Sequence, residues 1–172
     1  MSQGGVLYTK MYPEEEKARI EAKRIENDKI EELFNKKRKD WEGKLIPVFK
    51  AIYQNNFSIN NSKNIVNAQA EVLVLRQECN ELIAKYSQRL SKGKSENSFL
   101  SQEKFVFYSV GFGMKTNLGE KRMLIEGNLR ENERYCNLIE THIEFLRSTL
   151  STLESYQYSI KNVVQLMDFL GK

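Results

Sequence analysis

The chain has 172 residues, 27 Lys/Arg against 23 Asp/Glu, 40% hydrophobic residues, two prolines and two cysteines. That length is enough for one domain with a core, and patterned apolar residues beside heavy charge exclude both wholesale disorder and a disulfide-stapled scaffold. No run approaches the roughly 18 apolar residues of a membrane span, and the first residues lack a signal-peptide core and a glycine directly after Met1, so the expectation is a cytoplasmic protein without a membrane partner.

Residues 1–12 read as a lead. Pro13 stands where a helix tolerates proline, and Glu14, Glu15 and Glu16 complement the positive end of the dipole. The helix runs to about Trp41, with a thin apolar stripe of Ala18, Ala22, Ile25, Ile30, Leu33, Phe34 and Trp41. The run Lys36-Lys37-Arg38-Lys39 reads first as a solvated last turn, with nucleic-acid contact as the rival reading. Gly43 and Pro47 punctuate the chain and leave Leu45–Tyr53 as a short separate helix; Asn55–Ser62 is a turn cluster.

A second helix is predicted from Ser62 to about Leu90. Its apolar residues Ile65, Ala68, Val72, Leu75, Cys79, Leu82 and Tyr86 alternate threes and fours, which is a heptad seam. Lys92–Ser98 reads as a loop. Phe99–Gly113 is aromatic and β-branched, yet its helical flanks predict a buried helical turn. The last helix begins near Asn117. Its seam runs Leu118, Ile125, Leu129, Cys136, Ile139, Ile143, Leu146, Leu150 and Leu153, passing through Arg122 and Asn132. The seam fails at Gln157, so a turn or kink is predicted at Ser155–Ser159, then a short final helix to Leu170 capped by Gly171.

Together these elements predict an all-α fold: a long antiparallel helical hairpin of the coiled-coil kind over 60–172, with a charged N-terminal helical extension over 1–59. A single hairpin leaves apolar surface that the N-terminal helices, other copies or both must cover, so a homo-oligomer is expected, with Ile160, Val164 and Met167 of the final helix as its contact.

Chemistry finds few footholds. His142 is the only histidine and reads as a surface or interfacial side chain. One histidine and two distant cysteines cannot make a standard zinc site, so no metal, cofactor or enzymatic activity is expected. Gly111–Thr116 fails the phosphate-loop pattern because Met114 separates glycine from lysine. Nucleic-acid binding is better placed. Lys85, Arg89, Lys92 and Lys94, with Lys104 and Lys115 beyond, are interleaved with Tyr86, Phe105, Phe107 and Tyr108. Cations track phosphates while rings stack on bases. The rival reading is that these rings are core and the cations merely solvated.

Several short motifs resemble the UvsY family, the recombination mediators of T-even-type phages. They are Met114-Lys115-Thr116, the spaced leucines through Leu129, Tyr135, Leu138, and Phe145 through Leu153. The closing segment, Tyr158-Ser159-Ile160-Lys161-Asn162 followed by Phe169-Leu170-Gly171-Lys172, matches best. The resemblance spans about residues 60–172; residues 1–59 have no counterpart. Arg89-Leu90 stands where the family has a tyrosine-rich helix end, and of the cations expected there Lys85 and Arg89 loosely correspond. The resemblance implies a ring-like homo-oligomer that binds single-stranded DNA, contacts a single-strand-binding protein and helps load a RecA-like recombinase. It also implies residence in a host-cell cytoplasm. The alternative expectation is a coiled-coil virion, scaffold or adaptor protein without DNA affinity.

Overall fold

A computed structural model describes residues 14–53, 62–111 and 117–170. The protein is all-α. Helix α1 spans Glu14–Tyr53, α2 spans Ser62–Val106 and continues into a π-helical turn over Phe107–Gly111, and α3 spans Leu118–Leu170; no strand occurs among the described residues. No helix among them is long and apolar enough to cross a membrane.

The two predicted seams are for the most part the buried faces of α2 and α3, but Leu118 at the start of the α3 seam is exposed and Leu82 and Leu150 are half-buried. Ile65, Ala68, Val72, Leu75, Cys79 and Tyr86 are buried on α2, and Ile125, Leu129, Cys136, Ile139, Ile143, Leu146, Leu153 and Ile160 on α3. The stripe predicted for α1 is in phase only in part: of its residues Phe34 and Trp41 are buried and Ile30 is half-buried. Ala18, Ala22, Ile25 and Leu33 face solvent, while Asn27, Phe34, Trp41, Val48 and Ile52 are buried. A polar residue at a core position, Asn27, hides the true phase.

Three predicted breaks are absent. Leu45–Tyr53 is no separate helix but the end of α1, with Pro47 inside it. An interior proline forfeits a backbone bond and costs about 3 kcal/mol. Here Trp41, Val48 and Ile52 are buried on both sides of it, and that burial carries the helix through. The predicted Lys92–Ser98 loop is also helix. Gly93 is there a point of close approach, since a Cβ on it would lie 3.0 Å from Cys136 Sγ. Finally, no turn interrupts Ser155–Ser159, and α3 runs unbroken. The polar position Gln157 is occupied by a hydrogen bond that its Oε1 accepts from Arg76, which also donates to Glu154 at 3.2 Å. The hydroxyls of Thr149, Thr152, Ser155 and Ser159 each donate to the carbonyl four residues back, so this polar stretch stays helical with its donors satisfied. The cap predicted at Gly171 lies outside the described residues.

The chain forms two compact units. The first comprises Met1–Leu33 and Leu90–Leu138, the second Phe34–Arg89 and Ile139–Lys172. Each unit takes a piece of all three helices, whereas the boundary expected at residue 59 lies outside the described residues.

In the first unit, α1 and α3 pair at a near-constant difference in number, Asn27 with Glu131 and Glu31 with Arg134, so they run parallel. Lys104 with Glu16, and Asn97 with Cys136, place α2 antiparallel to both. The stretch read as a buried helical turn is helical but mostly exposed. Only Tyr108 of the π turn enters the core, packing with Leu124, Ile125 and Leu129 while its hydroxyl accepts from Asn128 at 2.7 Å. Phe105, Val106 and Val110 face solvent. Asn117 caps α3 reciprocally: its Oδ1 accepts from the Glu120 amide and Glu120 Oε2 accepts from the Asn117 amide, both at 2.9 Å. Asn117→Ala is expected to cost about 1 kcal/mol in urea unfolding, the usual value of an N-cap. A change within error would mean that Gly119 and Gly127 leave this end frayed.

The second unit repeats the directions. Lys37 with Tyr86 and Lys44 with Glu78 set α1 against α2, and Cys79 with Leu146 sets α2 against α3.

Candidate nucleic-acid interface

Folding partitions the charge. The second unit holds 13 Lys/Arg against 9 Asp/Glu and so carries the whole net charge of +4; the first unit holds equal numbers of each sign. The predicted cations divide between the two. Lys85 and Arg89 belong to the second unit and are exposed, and among the described residues no carboxylate pairs with either.

The surroundings of Arg89 are more basic than its own helix suggests. Its guanidinium lies 5.7 Å from the centroid of the Tyr86 ring. From α1, Lys37 Nζ lies 5.4 Å from the same centroid and donates to the Tyr86 hydroxyl at 2.6 Å. Arg38 follows, 5.9 Å from the Phe145 ring, with Lys36 and Lys39 exposed on either side. Lys37 therefore belongs to the same basic cluster as Arg89. The two lie far apart in the sequence, and only the antiparallel pairing of α1 with α2 brings them together.

Tyr86 itself is core, T-shaped against Phe34 at 5.4 Å and buried, so it does not offer a face to a base. In the first unit Lys92 and Lys94 are exposed on α2. Lys104 is spoken for: it pairs with Glu16 at 2.7 Å and its side chain is only 12% exposed. An ammonium held this way has no charge to spare for a phosphate. Lys115 lies outside the described residues, as does the Met114–Thr116 motif.

Of the residues expected to join copies, Ile160 is buried in its own chain, Met167 is half-buried and Val164 is 38% exposed. The exposed apolar residues of this helix end are instead Leu166, Phe169 and Leu170.

His142 is no surface residue. Its ring is fully buried, stacked on Phe34 at 4.2 Å and 7°, and T-shaped to Tyr86 at 4.9 Å. Neither ring nitrogen has a hydrogen-bond partner. Burial first, then the charges of Arg38 and Lys37, push its pKa down to about 4. A ring so enclosed has no path for a proton to a substrate. The thiol of Cys79 is similarly sequestered: it donates to the Leu146 carbonyl at 3.1 Å, and burial raises its pKa to about 11. No group of His, Cys, Asp and Glu among the described residues could hold a metal ion.

Comparison with protein-family models, curated proteins and solved structures finds no match.

Proposed function

We propose that this chain is a non-enzymatic, single-stranded-DNA-binding recombination mediator. In this reading it helps load a RecA-like recombinase onto strands covered by single-strand-binding protein, in a host-cell cytoplasm. The observation that carries the reading is the basic cluster of the second unit, where Arg89 of α2 shares Tyr86 with Lys37 of α1 and the exposed Lys85 stands one helical turn from Arg89. Surface cations grouped in one compact unit give the electrostatic footprint a phosphate backbone needs. The motif resemblance over residues 60–172 supplies the more specific role. It also supplies the finer architecture: a coiled-coil hairpin of α2 and α3, and a ring-like homo-oligomer joined through the end of α3. There Val164, Met167 and the exposed Phe169 and Leu170 would meet a neighbour.

The second reading is a coiled-coil structural or adaptor protein. It draws on the same exposed end of α3, whose Phe169 is 78% exposed and requires a cover but no DNA. Sizing the protein with and without oligo(dT) at two salt concentrations separates the two. The mediator reading expects an oligomer that takes up the strand at low salt and releases it at high salt. Uptake at neither concentration would leave the structural reading. Replacing Lys36, Lys39, Lys85 and Arg89 by alanine is expected to weaken binding about tenfold. It should also flatten the salt slope by about 0.7 for each phosphate that is no longer neutralised.

A further inference from the structure

The second unit carries aromatic surface that its core does not use. Phe34, Trp41 and Tyr86 are buried, whereas Phe49 and Tyr53 near the end of α1 are 42% and 51% exposed. Tyr156 of α3 joins them. The three ring centroids lie 4.9, 6.1 and 6.3 Å apart, with planes tilted by 39°, 69° and 50°. None of these pairs is parallel, so no ring of the three lies flat over another. Tyr53 is also held in place. Ser159 Oγ spends its proton on the Ser155 carbonyl, so the 2.8 Å contact with Tyr53 is one in which the Tyr53 hydroxyl donates. That bond fixes the ring before anything binds. Lys50, directly after Phe49 and one helical turn before Tyr53, is exposed, and among the described residues it is not paired with a carboxylate. The nearby carboxylate Glu154 is engaged by Arg76.

We propose that Phe49, Tyr53 and Tyr156 form a base-stacking platform for single-stranded nucleic acid, with Lys50 beside the strand's phosphates. The proposal deepens the DNA-binding reading and rests on it. Cations alone hold a backbone, but half-exposed rings that are fixed and neutral are what unpaired bases stack on. Every base has a π-face, so the platform takes any sequence and rejects duplex, whose bases are already stacked. Two of the three rings belong to residues 1–59, the part of the chain that has no counterpart in the motif resemblance.

The test is binding of the full chain to a fluorescent dT 20-mer and to an abasic strand of equal length. Wild type is expected to hold the dT strand about tenfold tighter than the abasic one. The variant Phe49→Leu/Tyr53→Leu/Tyr156→Leu should lose that difference while keeping its salt slope, because the phosphate contacts are untouched. A variant that keeps the preference overturns the platform but not DNA binding; a wild type that binds neither strand overturns both. Unchanged affinity together with dissociation of the oligomer would assign the aromatic patch to a second copy of the chain instead. Should the variant fail to fold, photocrosslinking of a 4-thiothymidine strand to wild type decides. Crosslinks at residues 46–53 or 154–161 support the platform, and crosslinks only elsewhere overturn it.

Discussion

Acidification from pH 7 to pH 4 is expected to destabilise this protein by about 3 kcal/mol through His142 alone. The imidazole ionises near 6.5 when the chain is unfolded and near 4 in the folded state. Between those values the unfolded chain binds a proton that the folded chain refuses. Stability is therefore whole above about pH 6.5, falls as the pH drops toward 4, and levels off below it. Two features make the folded ring refuse the proton. It sits with no hydrogen-bond acceptor between Phe34 and Tyr86, and the charged groups that bear on it, Arg38 and Lys37, are both cations. Urea unfolding of wild type and His142→Phe at pH 7 and pH 4.5 checks this. The phenyl ring keeps the stack and cannot titrate, so the stability gap between the two proteins should move in favour of the variant as the pH falls. A gap that stays constant would mean that the ring finds an acceptor when protonated. The absolute stability of the variant matters less, since slightly overfilling the site shifts both pH values alike.

Gly93→Leu is expected to cost about 2–3 kcal/mol. Leucine is a far better helix former than glycine, worth about 1 kcal/mol in an exposed helix interior. In a loop, as the Lys-Gly-Lys-Ser composition suggests, the change would be nearly silent. But Gly93 is buried in α2, and its missing Cβ is what lets the helix approach α3, with Cys136 Sγ at 3.0 Å and the Tyr135 ring at 3.5 Å from where that atom would stand. A leucine there must push the two helices apart or displace Cys136, which also accepts a hydrogen bond from Asn97 at 3.6 Å. Urea unfolding of Gly93→Leu, Cys136→Ala and the double variant gives the coupling between the positions. Partial recovery in the double variant is expected, and strictly additive losses would show that the contact is not where the strain lies.

Helix content and the seams of α2 and α3 were legible because their apolar residues recur at threes and fours without a polar interruption that shifts phase. On α1 only Phe34 and Trp41 of the stripe are core, because Asn27 occupies a core position and donates its amide to the Glu131 carbonyl at 2.8 Å, a partner on a helix remote in sequence. The three false breaks share a cause. Pro47, Gly93 and Gln157 are each local signals for an ending. Each is overruled by a partner on another helix or by burial on both sides: Trp41 and Val48 around the proline, Cys136 against the glycine, Arg76 on the glutamine. The basic site was legible only in half. Lys85 and Arg89 stand out beside an aromatic, but Lys37 reads as part of an ordinary helix face until its pairing with Tyr86 joins it to Arg89.

Periodicity alone settles that the chain is helical and which faces of α2 and α3 turn inward, because a helix repeats every 3.6 residues whatever surrounds it. It cannot settle where a helix stops, since proline and glycine cost only a few kcal/mol and distant packing can outweigh them. Nor can it show that a buried histidine lies between aromatic rings, or that two cations from separate helices share one tyrosine. Those depend on the register between helices, which is set by long-range contacts such as Phe34 with His142 and Lys37 with Tyr86.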